Sequence, residues 1–76
     1  MLNVTILSNV KVVFKGKAES VIVPGDMGVF EIMSYHKRVL SRLLGGTIDV
    51  DGNEFPIARG VVKVDSNDVM IVVEEE

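Results

Sequence analysis

An all-β fold, a small β-sandwich or flattened β-barrel of short antiparallel strands, is what this sequence predicts. Three observations carry that expectation: apolar residues alternate with polar ones in short runs, β-branched residues dominate those runs, and clusters of Gly, Pro, Asn, Asp and Ser punctuate them at close spacing. Several short strands with regular turn signals describe a sandwich or barrel. With 76 residues the chain is expected to form one domain, residues 1–76. A domain of that size buries only about 60% of the surface its unfolded chain exposes, so the 47% of hydrophobic residues must serve a compact core and an interface.

The elements follow in order. Leu2-Asn3-Val4-Thr5-Ile6-Leu7 alternates with period two and places Leu2, Val4 and Ile6 on one face of a strand, after which Ser8-Asn9 turns the chain. Val10 to Phe14 and Ala18 to Val23 lie on either side of Lys15-Gly16, which reads as a hairpin turn. Pro24-Gly25-Asp26-Met27-Gly28 is a tight connection whose glycines tolerate positive φ, and Val29, Phe30 and Ile32 resume the apolar pattern. Thr47 to Val50 and Glu54 to Ala58 flank Asp51-Gly52-Asn53, a strong hairpin signal. Pro56 cannot donate to a ladder, which puts its strand at an edge or turns that residue outward. Val61 to Asp65 and Val69 to Val73 flank a last turn at Ser66-Asn67-Asp68.

One segment is ambiguous. Between Tyr35 and Leu44 the apolar residues Tyr35, Val39, Leu40, Leu43 and Leu44 recur near helical spacing, so periodicity alone favours a short helix. A helix of that length is marginal without tertiary support.

Chemistry is sparse. The chain has one histidine and no cysteine, which removes disulfides and thiolate metal sites, and a lone His with scattered acids lacks metal-ligand spacing. Ser34 and Ser41 near His36 are neighbours in sequence without the third group a nucleophilic site needs. Gly45-Gly46-Thr47 has no following Gly-Lys-Ser/Thr and reads as a turn between Leu44 and Ile48. A net charge of −3 and few aromatics disfavour nucleic acid as a partner. Lys, Glu, Asp or Gly interrupts every apolar run before it reaches membrane-spanning length, and Met1 opens no signal-peptide pattern, so the expected site is cytoplasmic with no membrane insertion. No cofactor is implied.

Val21-Ile-Val-Pro-Gly-Asp-Met-Gly-Val-Phe-Glu-Ile, with His36 beyond it, Phe14-Lys15-Gly16 before it and Arg59-Gly60-Val61-Val62-Lys63-Val64 after it, resembles the N-terminal β domain of the epsilon subunit of F-type ATP synthase. The resemblance covers nearly the whole chain. Where the family usually reads Gly-Ile-Leu-Pro-x-His-Ala-Pro, this chain has Glu31-Ile32-Met33-Ser34-Tyr35-His36-Lys37-Arg38, and the usual double glycine before the late strand is Arg59-Gly60. The likeness favours extended chain over Tyr35 to Leu44. It implies a non-catalytic rotor subunit of the central stalk, joining the gamma shaft to the c-ring on the cytoplasmic face of an energy-transducing membrane. Gly25, Asp26, Met27, Gly28, Val29 and Glu31 would then face the c-ring, with Val29 where relatives are often acidic. His36, Val39, Leu40, Ser41 and Arg42 would face the gamma subunit.

Each feature has a plainer reading beside it. Met27 could close one end of the core, His36 could be an ordinary half-buried residue, and Lys37, Arg38 and Arg42, read as one basic cluster, could be a solvated face. Many epsilon subunits continue into a helical hairpin that can inhibit ATP hydrolysis. This sequence stops at Glu74-Glu75-Glu76, so the expectation is no such hairpin and a frayed acidic end. A different class of function, a free-standing β-barrel binding module for a ligand or peptide, would use the same apolar surface as a groove.

Overall fold

The computed structural model describes residues 1–76 as eight strands and no helix. They are β1 (Leu2–Leu7), β2 (Val12–Ala18), β3 (Ser20–Gly25), β4 (Gly28–Met33), β5 (Val39–Leu43), β6 (Gly46–Val50), β7 (Asn53–Asp65) and β8 (Asp68–Glu75). One layer runs β2-β1-β8-β7-β5 and the other is β4-β3-β6-β7, so β7 belongs to both. The sandwich closes where β3 meets β5 at Gly25 and Leu43. Every pairing is antiparallel except β1 with β8, which is parallel.

Alternation decides which side chains fill the space between the layers. Leu2, Val4 and Ile6 of β1, Val69, Ile71 and Val73 of β8, and Val62 and Val64 of β7 point inward from one layer. They meet Val21 and Val23 of β3, Ile32 of β4, Ile48 and Val50 of β6, and Ile57 of β7. The core holds 16 buried apolar residues and no buried polar side chain, so uniform hydrophobic burial, roughly 1.5–3 kcal/mol for each large side chain, holds the layers together.

The turns use the residues their geometry requires. Asp51 and Gly52 both have positive φ, 49° and 89°, as a two-residue type I′ hairpin between Val50 and Asn53 demands. The Asp51 carboxylate also accepts hydrogen bonds from the Glu19 and Ser20 amides, tying the β2–β3 corner to the β6–β7 turn. Of the glycines in the β3–β4 connection only Gly28 has positive φ. Gly25 is required for space, because a Cβ there would lie 2.7 Å from the Phe30 ring and 2.8 Å from the Gly28 carbonyl oxygen.

The structure corrects three expectations and meets the one for Pro56. Lys15-Gly16 is not a turn: β2 runs straight through it and pairs with β1, the turn lying at Ser8 to Lys11, while β3 pairs with β4. Glu54–Ala58 and Val61–Asp65 are not two strands but one. A register shift between Ile57 and Arg59 bends β7 from one layer to the other. Pro56 is exposed and pairs only across β6, since the β8 ladder begins at Ile57. The end is not frayed either: β8 extends through Glu75, and Glu74 pairs with Arg59 at 3.0 Å. Over Tyr35 to Leu44 the chain is extended, as the resemblance favoured.

Candidate functional site

The residues read as contact positions gather around β5 and the tip of the β3–β4 hairpin. At the tip, the two-residue turn Asp26-Met27 projects Met27 to 96% exposure, with Val29 at 72% on β4. Met27 therefore closes no part of the core. Glu31, on the same outward face of β4, accepts a hydrogen bond from the Ser20 hydroxyl.

The tip is held to β5 by backbone and side chain together. The Asp26 amide donates to the Arg42 carbonyl at 3.0 Å, the Leu44 amide donates to the Pro24 carbonyl at 2.8 Å, and the Arg42 guanidinium lies 3.7 Å from the Asp26 carboxylate. Pro24 serves here through its carbonyl alone: with no N–H it returns no bond to Leu44, and the β3–β5 pairing is confined to Gly25 and Leu43. Asp26, read as part of one contact set, and Arg42, read as part of the other, are direct neighbours.

Strand alternation divides the second set. Val39 packs against the core and Ser41 shares its inward face, its hydroxyl donating to the Arg42 carbonyl at 3.1 Å. Leu40 and Arg42 point outward, Leu40 at 76% exposure. His36 is half-buried beside Phe30, ring centroids 6.5 Å apart, and its Nδ1 lies 2.7 Å from the Lys37 carbonyl oxygen, an acceptor that fixes the proton on Nδ1. The three cations do not form one cluster. Arg38 pairs with Asp65 at 3.5 Å near the start of β5 while Arg42 pairs with Asp26 at its far end, a separation of about 13 Å along the strand.

Beside the far end of β5 the outer face of its layer carries an apolar row. Across the ladder, Leu7, Val72 and Val61 lie in one row leading to Arg42. Leu43, Leu44, Val61, Val72 and Val73 line an open groove of about 570 Å³, rimmed by the ion pairs Arg42–Asp26 and Arg59–Glu74. A smaller depression of about 470 Å³ continues it past Leu40 to Met27. Sequence reading passed over Val61, Val72 and Leu44 in this role, although period-two alternation from the core residues Val62 and Ile71 assigns Val61 and Val72 to the outer face.

No three carboxylate, His or Cys groups lie close enough together to hold a metal ion. Such a body is a small β-sandwich domain with exposed apolar side chains at a hairpin tip and along the adjoining strand, among other places on its surface. The family model for the β-sandwich domain of the ATP synthase delta/epsilon chain matches residues 1–75, and the chain belongs to that family. It is 32% identical over 78 residues to the ATP synthase epsilon chain of Sulfurimonas denitrificans, which covers 96% of this chain and 60% of that protein. It is 33% identical over 70 residues to the epsilon chain of Chlorobaculum tepidum, covering 86% of this chain and 80% of that one. The chain thus spans about 60% of the length of the Sulfurimonas relative and 61% of one from Leptospira borgpetersenii. Among solved structures, a chain of the Euglena gracilis mitochondrial ATP synthase superposes with a TM-score of 0.88 at 17% identity, covering 97% of this chain and 51% of that one. A chain of the central stalk and c-ring of the Tetrahymena thermophila mitochondrial ATP synthase gives 0.80 at 20% identity, covering 97% and 63%. These two likenesses concern the fold.

Proposed function

We propose that this chain acts, as one domain over residues 1–76, as a non-catalytic rotor part of an F-type ATP synthase, coupling a gamma shaft to a membrane c-ring. The observation that carries the reading is the hairpin tip: Met27 and Val29 are exposed on a turn that two backbone hydrogen bonds fasten to β5, whose Leu40 is exposed in turn. A part that transmits torque needs contact residues on a stiff body, and a tip hydrogen-bonded to the next strand supplies stiffness at the loaded point. In this reading Gly25 to Val29 and Glu31 meet the c-ring. Leu40 and Arg42, with the His36 loop, meet the gamma subunit, while Val39 and Ser41 support them from behind. The domain sits peripherally on the cytoplasmic face of the membrane; no helix here is long and apolar enough to cross one.

The test is co-purification of the tagged chain with its host's membrane fraction, with Met27→Glu plus Val29→Lys as the perturbed form. Recovery of gamma and c subunits, with the c subunits lost in the double variant, supports the reading. The apolar groove favours a second reading, a free-standing binding module. Recovery of neither subunit by a folded chain would select it.

A further inference from the structure

Tyr35 is the residue that the fold and the proposed role leave unexplained. Its φ is +64°, a left-handed conformation that bulky L-residues avoid and that Gly or Asn adopts readily. The conformation is held from both sides: the Tyr35 amide donates to the Asn67 side-chain oxygen at 2.8 Å, and the next amide, of His36, donates to the Met33 carbonyl at 3.1 Å. Yet the ring contributes nothing to the core, being 90% exposed. It is the single tyrosine of the chain, spent on a strained loop position with its ring in solvent. Around it stand Met33, 54% exposed, and the exposed Lys37 and Arg38, a positive edge on a chain of net charge −3. Arg38 is engaged by Asp65, whereas Lys37 has no ion-pair partner. The neighbouring His36 is turned inward beside Phe30.

We propose that Tyr35 is the anchor of the shaft contact, inserting into an apolar recess of the gamma subunit bordered by carboxylates that face Lys37, and that His36 supports the loop from beneath. The proposal rests on the rotor reading. Tyrosine offers a large, rigid, amphipathic contact at low entropic cost and is enriched where interfaces concentrate their energy. A basic flank fixes register and speeds encounter with an acidic surface. Strain kept at an exposed residue, with the backbone held by Asn67, is the pattern expected when conformation serves recognition and not stability.

The experiment compares Tyr35→Asn and Tyr35→Phe, reading thermal unfolding of the free chain and its affinity for purified gamma subunit from the same host. Asparagine suits the left-handed backbone, so Tyr35→Asn should melt at the same or a higher temperature while binding gamma about tenfold or more weakly. Tyr35→Phe should bind within about threefold of wild type, because the ring is retained. Lys37→Glu should slow association. Unchanged affinity of Tyr35→Asn overturns the anchor. A lowered melting temperature together with weaker binding also overturns it, marking Tyr35 as a structural residue. A wild-type chain that fails to bind gamma defeats the rotor reading itself and this proposal with it, a result distinct from the other two.

Discussion

Gly60 lies inside β7 near the point where that strand passes between layers, and its replacement by alanine isolates a steric constraint from a conformational one. A Cβ at Gly60 would lie 2.6 Å from the Val72 carbonyl oxygen, 3.0 Å from Val73 Cγ1 and 3.3 Å from Val73 Cα. The first and last of these atoms are backbone of β8, held by the ladder that pairs Gly60 with Val73, so neither can swing aside as a side chain would. Relief requires β7 and β8 to move apart where they cover the core residues Val62, Ile71 and Val73. Overpacking of this kind costs about 1–3 kcal/mol. Alanine returns about 0.5–1 kcal/mol by restricting the unfolded chain. The net expectation for Gly60→Ala is a loss of about 1–2 kcal/mol, or about 4–16 °C in melting temperature for a domain this size. Gly52→Ala is the comparison: no atom lies within 4 Å of its Cβ, but its φ is +89°. It should lose about 1–2 kcal/mol through backbone strain alone. Gly52→Asn should recover much of that loss, whereas Gly60→Asn should be worse than Gly60→Ala. Differential scanning calorimetry of the four variants decides the matter. A Gly60→Ala protein that melts at or above wild type would refute the steric account.

Three further outcomes follow from the same geometry. Asp51→Ala removes the carboxylate that accepts from the Glu19 and Ser20 amides and should cost about 1–3 kcal/mol by urea unfolding, with amide exchange rising first at those two residues. Ile71→Ala, at a fully buried site, should cost about 2–5 kcal/mol, a large share of the stability of a domain this size, read as a lowered unfolding midpoint by circular dichroism. Arg42→Ala breaks an ion pair whose arginine side chain is 83% exposed, so stability should change by about 1 kcal/mol or less, since the two backbone bonds between the tip and β5 remain. Global unfolding of that variant in mild conditions would show that the side-chain pair, and not the backbone, holds the tip.

Much of the fold was legible because one face of nearly every strand is buried. Leu2, Val4 and Ile6 alternate with polar residues for that reason, and the turns at Asp51-Gly52 and Asp26-Met27 are flagged by residues their surroundings select, positive φ at Asp51, Gly52 and Gly28 and close packing at Gly25. Glycines misled where they serve packing. Gly16 lies inside β2 because the Phe14 ring covers it, a Cβ there falling 3.3 Å from that ring. Arg59-Gly60 looks like a break between strands, but a strand shared by two layers must bend, and the bulge at Ala58 lets a single β7 do so. The helical spacing over Tyr35 to Leu44 arises because both faces of β5 carry apolar residues: Val39 and Leu43 turn inward, Leu40 is exposed, and Leu44 just beyond is exposed too. Mixed faces imitate a 3.6-residue period. Val39 and Ser41 are expected as contact residues from the family likeness, which marks a segment and not its two faces; alternation turns both inward on β5. Tyr35 could not be singled out from sequence, since its interest lies in a backbone angle; a bulky aromatic beside His36 was the sole trace.

The measurement that tests the rotor account most directly is photo-crosslinking inside the assembled enzyme, with a benzophenone side chain placed in turn at Met27 and at Leu40. The account predicts adducts with c subunits from Met27 and with the gamma subunit from Leu40, at opposite ends of a short path across the tip and β5. Adducts with one and the same subunit from both positions, or with neither subunit from a correctly incorporated chain, would contradict it.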